Sequence, residues 1–266
     1  MAINFHDAQN KKTYTTREAD QSWIQLMRDT VDLFGKDVVD LGCGGGIYSK
    51  ALSKLKVNHV TAVDFSEEML KGTAENCKDY GNISFSKGDA YDTKLPSSNY
   101  DVILARALVH HLDNLNACFS ETNRLLKKNG MLIVQDRTPE DCLLPGDNSH
   151  IRGYFFDLYP KLKTKEIARR YDTQEMHSAL ESAGFHIEKT VKLWETRRIY
   201  ADLESLQSDL LLRTGRSILH ELTDKELKQL VKYINKKLQH QSTIIEKDCW
   251  TIWFARKKYY DGHNSY

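Results

Sequence analysis

Short apolar runs alternate with helix-period stripes over the first half of the chain. Residues 37–41, 59–64, 83–86, 101–105 and 131–134 are runs of strand length, and most are rich in Val or Ile. Residues 83–86 alternate with period two; as a set the runs read as strands mostly covered on both faces. Between them lie helical patterns. One runs from 47 to 55. A second, capped by Ser66, carries Met69, Ala74 and Cys77 on one side. A third, capped by Asp113, holds Phe119, Leu125 and Leu126 and stops at Asn129-Gly130. Upstream, residues 15–34 place Trp23, Leu26, Met27, Val31 and Phe34 at helical spacing. Strand–helix–strand repetition predicts a parallel sheet with right-handed crossovers.

After Asp136 the alternation stops. Residues 138–172 contain Pro139, Pro145, Gly146, Gly153 and Pro160 and the aromatic cluster Tyr154, Phe155, Phe156 and Tyr159. This predicts a loop-rich insertion. A helix over 173–183 ending at Gly184, a strand from 185 to about 193, helices over 203–212 and 223–238, and a strand over 249–254 follow. In 223–238, Leu227, Leu230, Val231, Ile234 and Leu238 form one stripe, and Thr223 with Glu226 makes a capping box. The expected organisation is a helical cover (1–36), a core (37–137), a lid-like insertion (138–172) and a C-terminal part (173–266) that completes the sheet around a helical insertion (200–247).

Composition narrows the function. The 266 residues suit one large domain with appendages, and the formal charge is +1. Neither half is strongly charged, so a backbone-driven nucleic-acid partner is not expected. No apolar run approaches the roughly 20 residues of a membrane helix, and residues 1–17 lack a signal-peptide core. Five widely spaced cysteines, with no Cys-x-x-Cys pair, read as free thiols in a reducing cytoplasm and give no zinc or other metal site.

The sharpest chemical signal is the stretch 38–46, Val-Val-Asp-Leu-Gly-Cys-Gly-Gly-Gly, a strand running through a glycine turn into a helix. Bare backbone at Gly42, Gly44 and Gly46 lets a ligand lie against the chain. A dinucleotide fingerprint would need a small residue where Ile47 stands, which disfavours a nicotinamide oxidoreductase. Instead Asp40 ends the first strand. A carboxylate there repels pyrophosphate but accepts hydrogen bonds from a ligand ammonium group. Asp64 ends the second strand, where it can accept both ribose hydroxyls. Gly88-Asp89-Ala90 follows the third, with Asp89 able to meet an adenine amino group. Together these residues suit an adenosine with an amino-acid tail and no phosphate.

In these motifs the chain resembles the class I S-adenosylmethionine-dependent methyltransferases. The segments that carry the resemblance are 38–46, Ala62-Val-Asp-Phe-Ser66 with Met69, Gly88-Asp89-Ala90, 105–112 (Ala-Arg-Ala-Leu-Val-His-His-Leu) and 125–134. The resemblance implies a doubly wound α/β fold with a mostly parallel seven-stranded sheet, its last strand antiparallel. It implies S-adenosyl-L-methionine as cofactor, with Gly42, Cys43 and Gly44 along the methionine part, Asp64 on the ribose beside Ser66, Phe65 and Met69 flanking the adenine, and Gly88, Asp89 and Ala90 at its edge. Arg106 falls where such enzymes contact cofactor or substrate. Tyr14, in a segment resembling a cofactor cover, would lay its ring near the sulfonium.

Each candidate also has a plainer reading. Cys43 reads as packing, with no base beside it in sequence. His110 and His111 follow strand four and are candidates for a catalytic base, or for packing under the sheet. His150, Arg152, Tyr154, Trp194 and Arg197 are candidates to bind the acceptor; the insertion residues among them equally suit a plug sealed onto the sheet. The expected reaction is direct methyl transfer to a small molecule. The alternatives are a nucleic-acid or protein methyltransferase, and a non-catalytic cofactor-binding module that contacts a partner through the 223–238 stripe.

Overall fold

A computed structural model describes residues 18–258. Its seven strands are β1 (Asp37–Leu41), β2 (His59–Asp64), β3 (Ile83–Lys87), β4 (Tyr100–Arg106), β5 (Leu126–Asp136), β6 (Phe185–Tyr200) and β7 (Ile244–Lys257), in the order β3-β2-β1-β4-β5-β7-β6. β1 to β5 run parallel, and β7 is antiparallel to both of its neighbours. The expected doubly wound sheet with an antiparallel last strand is therefore what the chain forms. The order reverses beside β1, and in such sheets ligands bind where neighbouring connections diverge at the carboxyl ends.

Helices α1 (Gln21–Thr30), α2 (Ile47–Lys54), α3 (Glu67–Asn76) and α4 (Leu115–Leu125) accompany the first five strands. Successive strand residues face opposite sides, so Val38 and Val39 serve different cores. Val38, Val60, Leu104 and Phe254 meet Trp23 and Met27 of α1 and Leu52 of α2. Val39, Ile103 and Leu132 meet Phe119 of α4 and Leu180 of α8 (Thr173–Ser182). All these side chains are almost wholly buried, and each such burial is worth about 1.5–3 kcal/mol.

The insertion and the C-terminal additions form a third core of their own. Helices α5 (Pro139–Cys142), α6 (Gly153–Leu158), α7 (Lys161–Ile167), α9 (Leu203–Leu211) and α10 (Asp224–Leu238) occupy these regions. Phe155 and Leu162 pack there against Leu206, Leu210, Leu219 and the α10 stripe. That stripe is buried inside the chain, so the surface through which a partner-contacting module would act is already used.

Local differences from the expected elements have local causes. Helix α1 starts at Asp20, whose carboxylate accepts the Ser22 N–H, and ends before Phe34, which is 73% exposed. Asn114, not Asp113, caps α4 by accepting the Ala117 N–H. That helix ends at Leu125, because Leu126 already pairs with Tyr100; Asn129, at φ 60°, and Gly130 turn within β5. The insertion holds three short helices, since its prolines start helices rather than break them: Pro139 opens α5 behind the Thr138–Asp141 capping box, and Pro160 precedes α7. β5 pairs with β7 only as far as Thr251, whereas β6 and β7 continue together to Tyr200 and Ile244. This two-stranded ribbon runs past the sheet and carries the helical addition.

Candidate functional site

The chain turns sharply where β1 ends. The N–H groups of Gly42 and Cys43 both donate to the Val63 carbonyl, at 2.8 and 2.9 Å. Gly46 opens α2 at φ 75°, and a Cβ there would lie 2.6 Å from Thr73 Cγ2. A left-handed backbone and a filled space together demand glycine.

Asp40 is buried beneath this turn and accepts a hydrogen bond from Ser49 Oγ at 2.6 Å. Among the described residues no cationic side chain lies within ion-pair distance of it. Burial pushes its carboxyl up to about 6, with help from the charge of Asp64 and against the Ser49 hydrogen bond and the more distant charge of Arg106. Asp64 is also buried; Oδ2 accepts the Gly44 N–H at 3.0 Å and Oδ1 the Ser66 N–H at 2.9 Å. Ser66 is fully buried as the cap of α3, its hydroxyl accepting the Met69 N–H. Met69 is buried, while Phe65 is half exposed. The Gly88 N–H donates to the Asp64 carbonyl at 3.1 Å, followed by exposed Asp89 and half-buried Ala90. Cys43 is buried and its thiol is raised well above the ordinary value, chiefly by that burial, which leaves no thiolate for nucleophilic attack. Tyr14 lies outside the described residues.

The next turn, after β4, carries the histidines. Ala107 adopts φ 51°, an uncommon conformation for a residue with a Cβ. A Cβ on Gly42 would meet Leu108 Cδ1 at 2.9 Å, so this turn presses on the glycine loop. His110 Nδ1 lies 2.8 and 3.0 Å from the two oxygens of Asp136, at the end of β5. Burial alone would raise the Asp136 carboxyl, but His110 and Arg170 hold it well below the ordinary carboxylate range. It therefore accepts, Nδ1 donates, and Nε2 keeps its lone pair. Burial, outweighing the pull of Asp136, lowers the His110 pKa and favours the neutral ring. Arg170 fixes Asp136 from the far side at 2.8 Å. His111 is exposed, its ring centroid 4.0 Å from that of His110.

Arg106 is committed to protein partners. It donates to Glu195 at 2.6 Å, with its guanidinium 4.0 Å from the Tyr48 ring and 4.3 Å from the Trp250 ring. Gln135 and Tyr48 donate to the same Glu195 carboxylate. Arg137 lies 4.7 Å from the Trp250 ring and pairs with Asp248 at 3.2 Å. The acceptor candidates divide. His150 is buried, its ring edge-on to Trp194 at 5.5 Å, and Arg152 is buried 3.6 Å from Asp248. Tyr154 packs into the third core against Tyr233, and Arg197 pairs with Glu246 and donates to the Thr214 carbonyl. Sequence reasoning missed Asp136, Glu195, Arg137 and Asp248. Asp136 alone left a signal, as an acidic residue closing an apolar strand at the carboxyl edge. A surface hollow lined by residues 28–34 and Leu55 lies at the opposite, amino end of the strands and holds none of these groups.

Strand order, glycine loop and paired acidic residues define a class, and residues 39–134 match the family model of the methyltransferase domain. Over these residues the chain is similar to methyltransferase domains, and its strand order is that of the class I methyltransferase fold. The chain is 30% identical over 117 residues to the uncharacterised methyltransferase YcgJ of Bacillus subtilis, a match covering 43% of this chain and 46% of that protein. It is 39% identical over 106 residues to the demethylmenaquinone methyltransferase of Leptospira interrogans, covering 37% and 42%. The chain thus matches less than half the length of either relative. Among solved structures, an S-adenosylmethionine-dependent methyltransferase of Aquifex aeolicus superposes with a TM-score of 0.55 at 22% identity, over 70% of this chain and 92% of that one. Among the described residues no helix is long and apolar enough to cross a membrane.

Proposed function

We propose that the chain transfers a methyl group from S-adenosylmethionine to a small-molecule acceptor. The observation that carries this reading is Asp40, a buried carboxylate with no cation within ion-pair distance among the described residues, under a glycine-rich turn. Such a group is costly to the fold unless a ligand cation compensates it. An amino-acid ammonium beside a nucleoside supplies that cation, and Asp64 on the neighbouring strand suits the ribose. Gly42, Cys43 and Gly44 would line the tail, Phe65 and Met69 the base, and Gly88 to Ala90 its edge. When bound, the cofactor supplies a methyl carbon made electrophilic by a sulfonium.

The protein's part is then positioning and proton removal. Asp136 orients His110 and fixes its tautomer, so Nε2 can take the proton of an acceptor hydroxyl, thiol or ammonium. Such a base contributes about 10²–10⁴-fold to rate. Burial of the ring keeps it neutral for that role. The near-neutral charge and the buried α10 stripe favour this reading over a nucleic-acid methyltransferase or a partner-binding module. The buried free cysteines accord with a reducing, cytoplasmic compartment.

Calorimetry tests the reading. The native chain should bind S-adenosylmethionine and its demethylated product at micromolar concentrations, and Asp64→Ala should weaken both at least tenfold. Undetectable binding by the native chain would refute the proposal.

A further inference from the structure

Beside the histidine dyad lies a buried ionic network whose charges do not balance. Four of its arginines each hold a carboxylate closely: Arg106 on Glu195 at 2.6 Å, Arg137 on Asp248 at 3.2 Å, Arg170 on Asp136 at 2.8 Å, and Arg169 on Glu166. The fifth, Arg152, reaches only carboxylates that other arginines hold more closely, Glu166 at 3.5 Å and Asp248 at 3.6 Å. Its side chain is 7% exposed, and its Nε–H, like those of Arg106, Arg137 and Arg169, has no acceptor within hydrogen-bond distance. Among the described residues these five guanidinium groups have four carboxylates within ion-pair distance, and Arg152 is the one held at the longest distances. Burial, then the neighbouring charge of Arg137, pulls Arg152 down to about 10. A buried ion held this loosely adds little to stability, since apolar residues of similar volume often serve a fold as well or better.

We propose that Arg152, with Arg137, forms a subsite for a carboxylate on the methyl acceptor. One surplus charge matches one monoanion, whereas a phosphate dianion would overshoot. Guanidinium N–H groups suit the planar two-oxygen geometry of a carboxylate. The subsite connects to the reaction centre through contacts already described: Arg137 and Arg106 both lie on Trp250, and the charge of Arg106 acts on Asp40. Calling the ligand an acceptor rests on the methyl-transfer reading; the presence of a carboxylate site does not.

The test uses the full chain, with sodium benzoate and inorganic phosphate as probes at constant ionic strength made up with sodium chloride. Thermal midpoints are read with and without S-adenosylhomocysteine. At ten times its dissociation constant, benzoate should raise the native midpoint by about 3–6 °C over chloride. Phosphate should raise it less. R152Q should abolish the benzoate shift and R152K should retain part of it, while both bind S-adenosylhomocysteine like the native chain. A benzoate effect no larger than that of chloride, one unchanged in R152Q, or one exceeded by phosphate overturns the proposal. Should R152Q fail to fold, the native arm and R152K still decide. Loss of S-adenosylhomocysteine binding by the native chain with the benzoate shift intact would sink the methyltransferase reading and leave the subsite standing.

Discussion

Replacing Asp40 by Asn separates what the site needs from what the fold prefers. The Asp40 carboxyl sits at about 6 in the folded chain against an ordinary 3.8, chiefly because it is buried. At about 1.4 kcal/mol per pH unit, keeping it ionised at pH 7.5 costs the folded state about 3 kcal/mol. Since the folded value lies above the unfolded one, the cost is fully present above pH 6 and fades as pH falls toward 4. Asn removes it but turns the Ser49 hydrogen bond from charge-assisted to neutral, a loss of about 1 kcal/mol. Asp40→Asn should therefore be more stable than the native chain by about 2 kcal/mol at pH 7.5, with the gain gone by pH 4. The assay is urea unfolding at both pH values, with equal m-values required. The same variant should lose S-adenosylmethionine binding by at least tenfold, and native binding should weaken as pH drops below 6, where the carboxyl takes up a proton. A variant less stable than the native chain at pH 7.5, or a difference that does not change with pH, would show that Asp40 is compensated within the protein and that the argument for a cationic ligand is unsound.

Other expectations follow from single contacts. His110→Gln and Asp136→Asn should each lower single-turnover methyl transfer by about 10²–10³-fold while leaving cofactor affinity within twofold, measured by rapid quench and calorimetry. In the native chain that rate should hold at alkaline pH and decline only below the ordinary histidine range, because burial lowers the His110 pKa; a decline beginning above pH 7 would argue against His110 as the base. Gly46→Ala, with φ at 75° and Thr73 Cγ2 2.6 Å from the new carbon, should cost about 2–4 kcal/mol in denaturant unfolding. Arg106→Met leaves Glu195 buried without its closest cation and should cost about 3–5 kcal/mol by the same measurement.

What the sequence disclosed, and what it hid, divides along physical lines. Strands buried on both faces announce themselves as apolar runs, so β1, β2, β4 and the inner part of β5 are legible, and with them the carboxyl edge where Asp40 and Asp64 stand. The glycine loop is legible because a left-handed turn over Thr73 admits nothing else. The outer halves of β6 and β7 are not. Their side chains answer to the additions as well as to the sheet, so Glu195, Arg197, Glu246 and Asp248 interrupt the apolar pattern in the very stretch where the ribbon continues. Ion pairs have no period. Arg106 and Glu195 are 89 residues apart, His110 and Asp136 are 26, and no spacing announces either contact. A nucleoside site recurs on one βαβ unit and can be read locally. The acceptor site proposed above draws on the ends of β4 and β5, the insertion and the β6–β7 ribbon, and would form only once those four segments have met. That is why His110 and Arg152 can be singled out in the sequence, while the side chains proposed to act with them, Asp136 and Arg137, emerge from geometry alone, as partners that composition and spacing never connect.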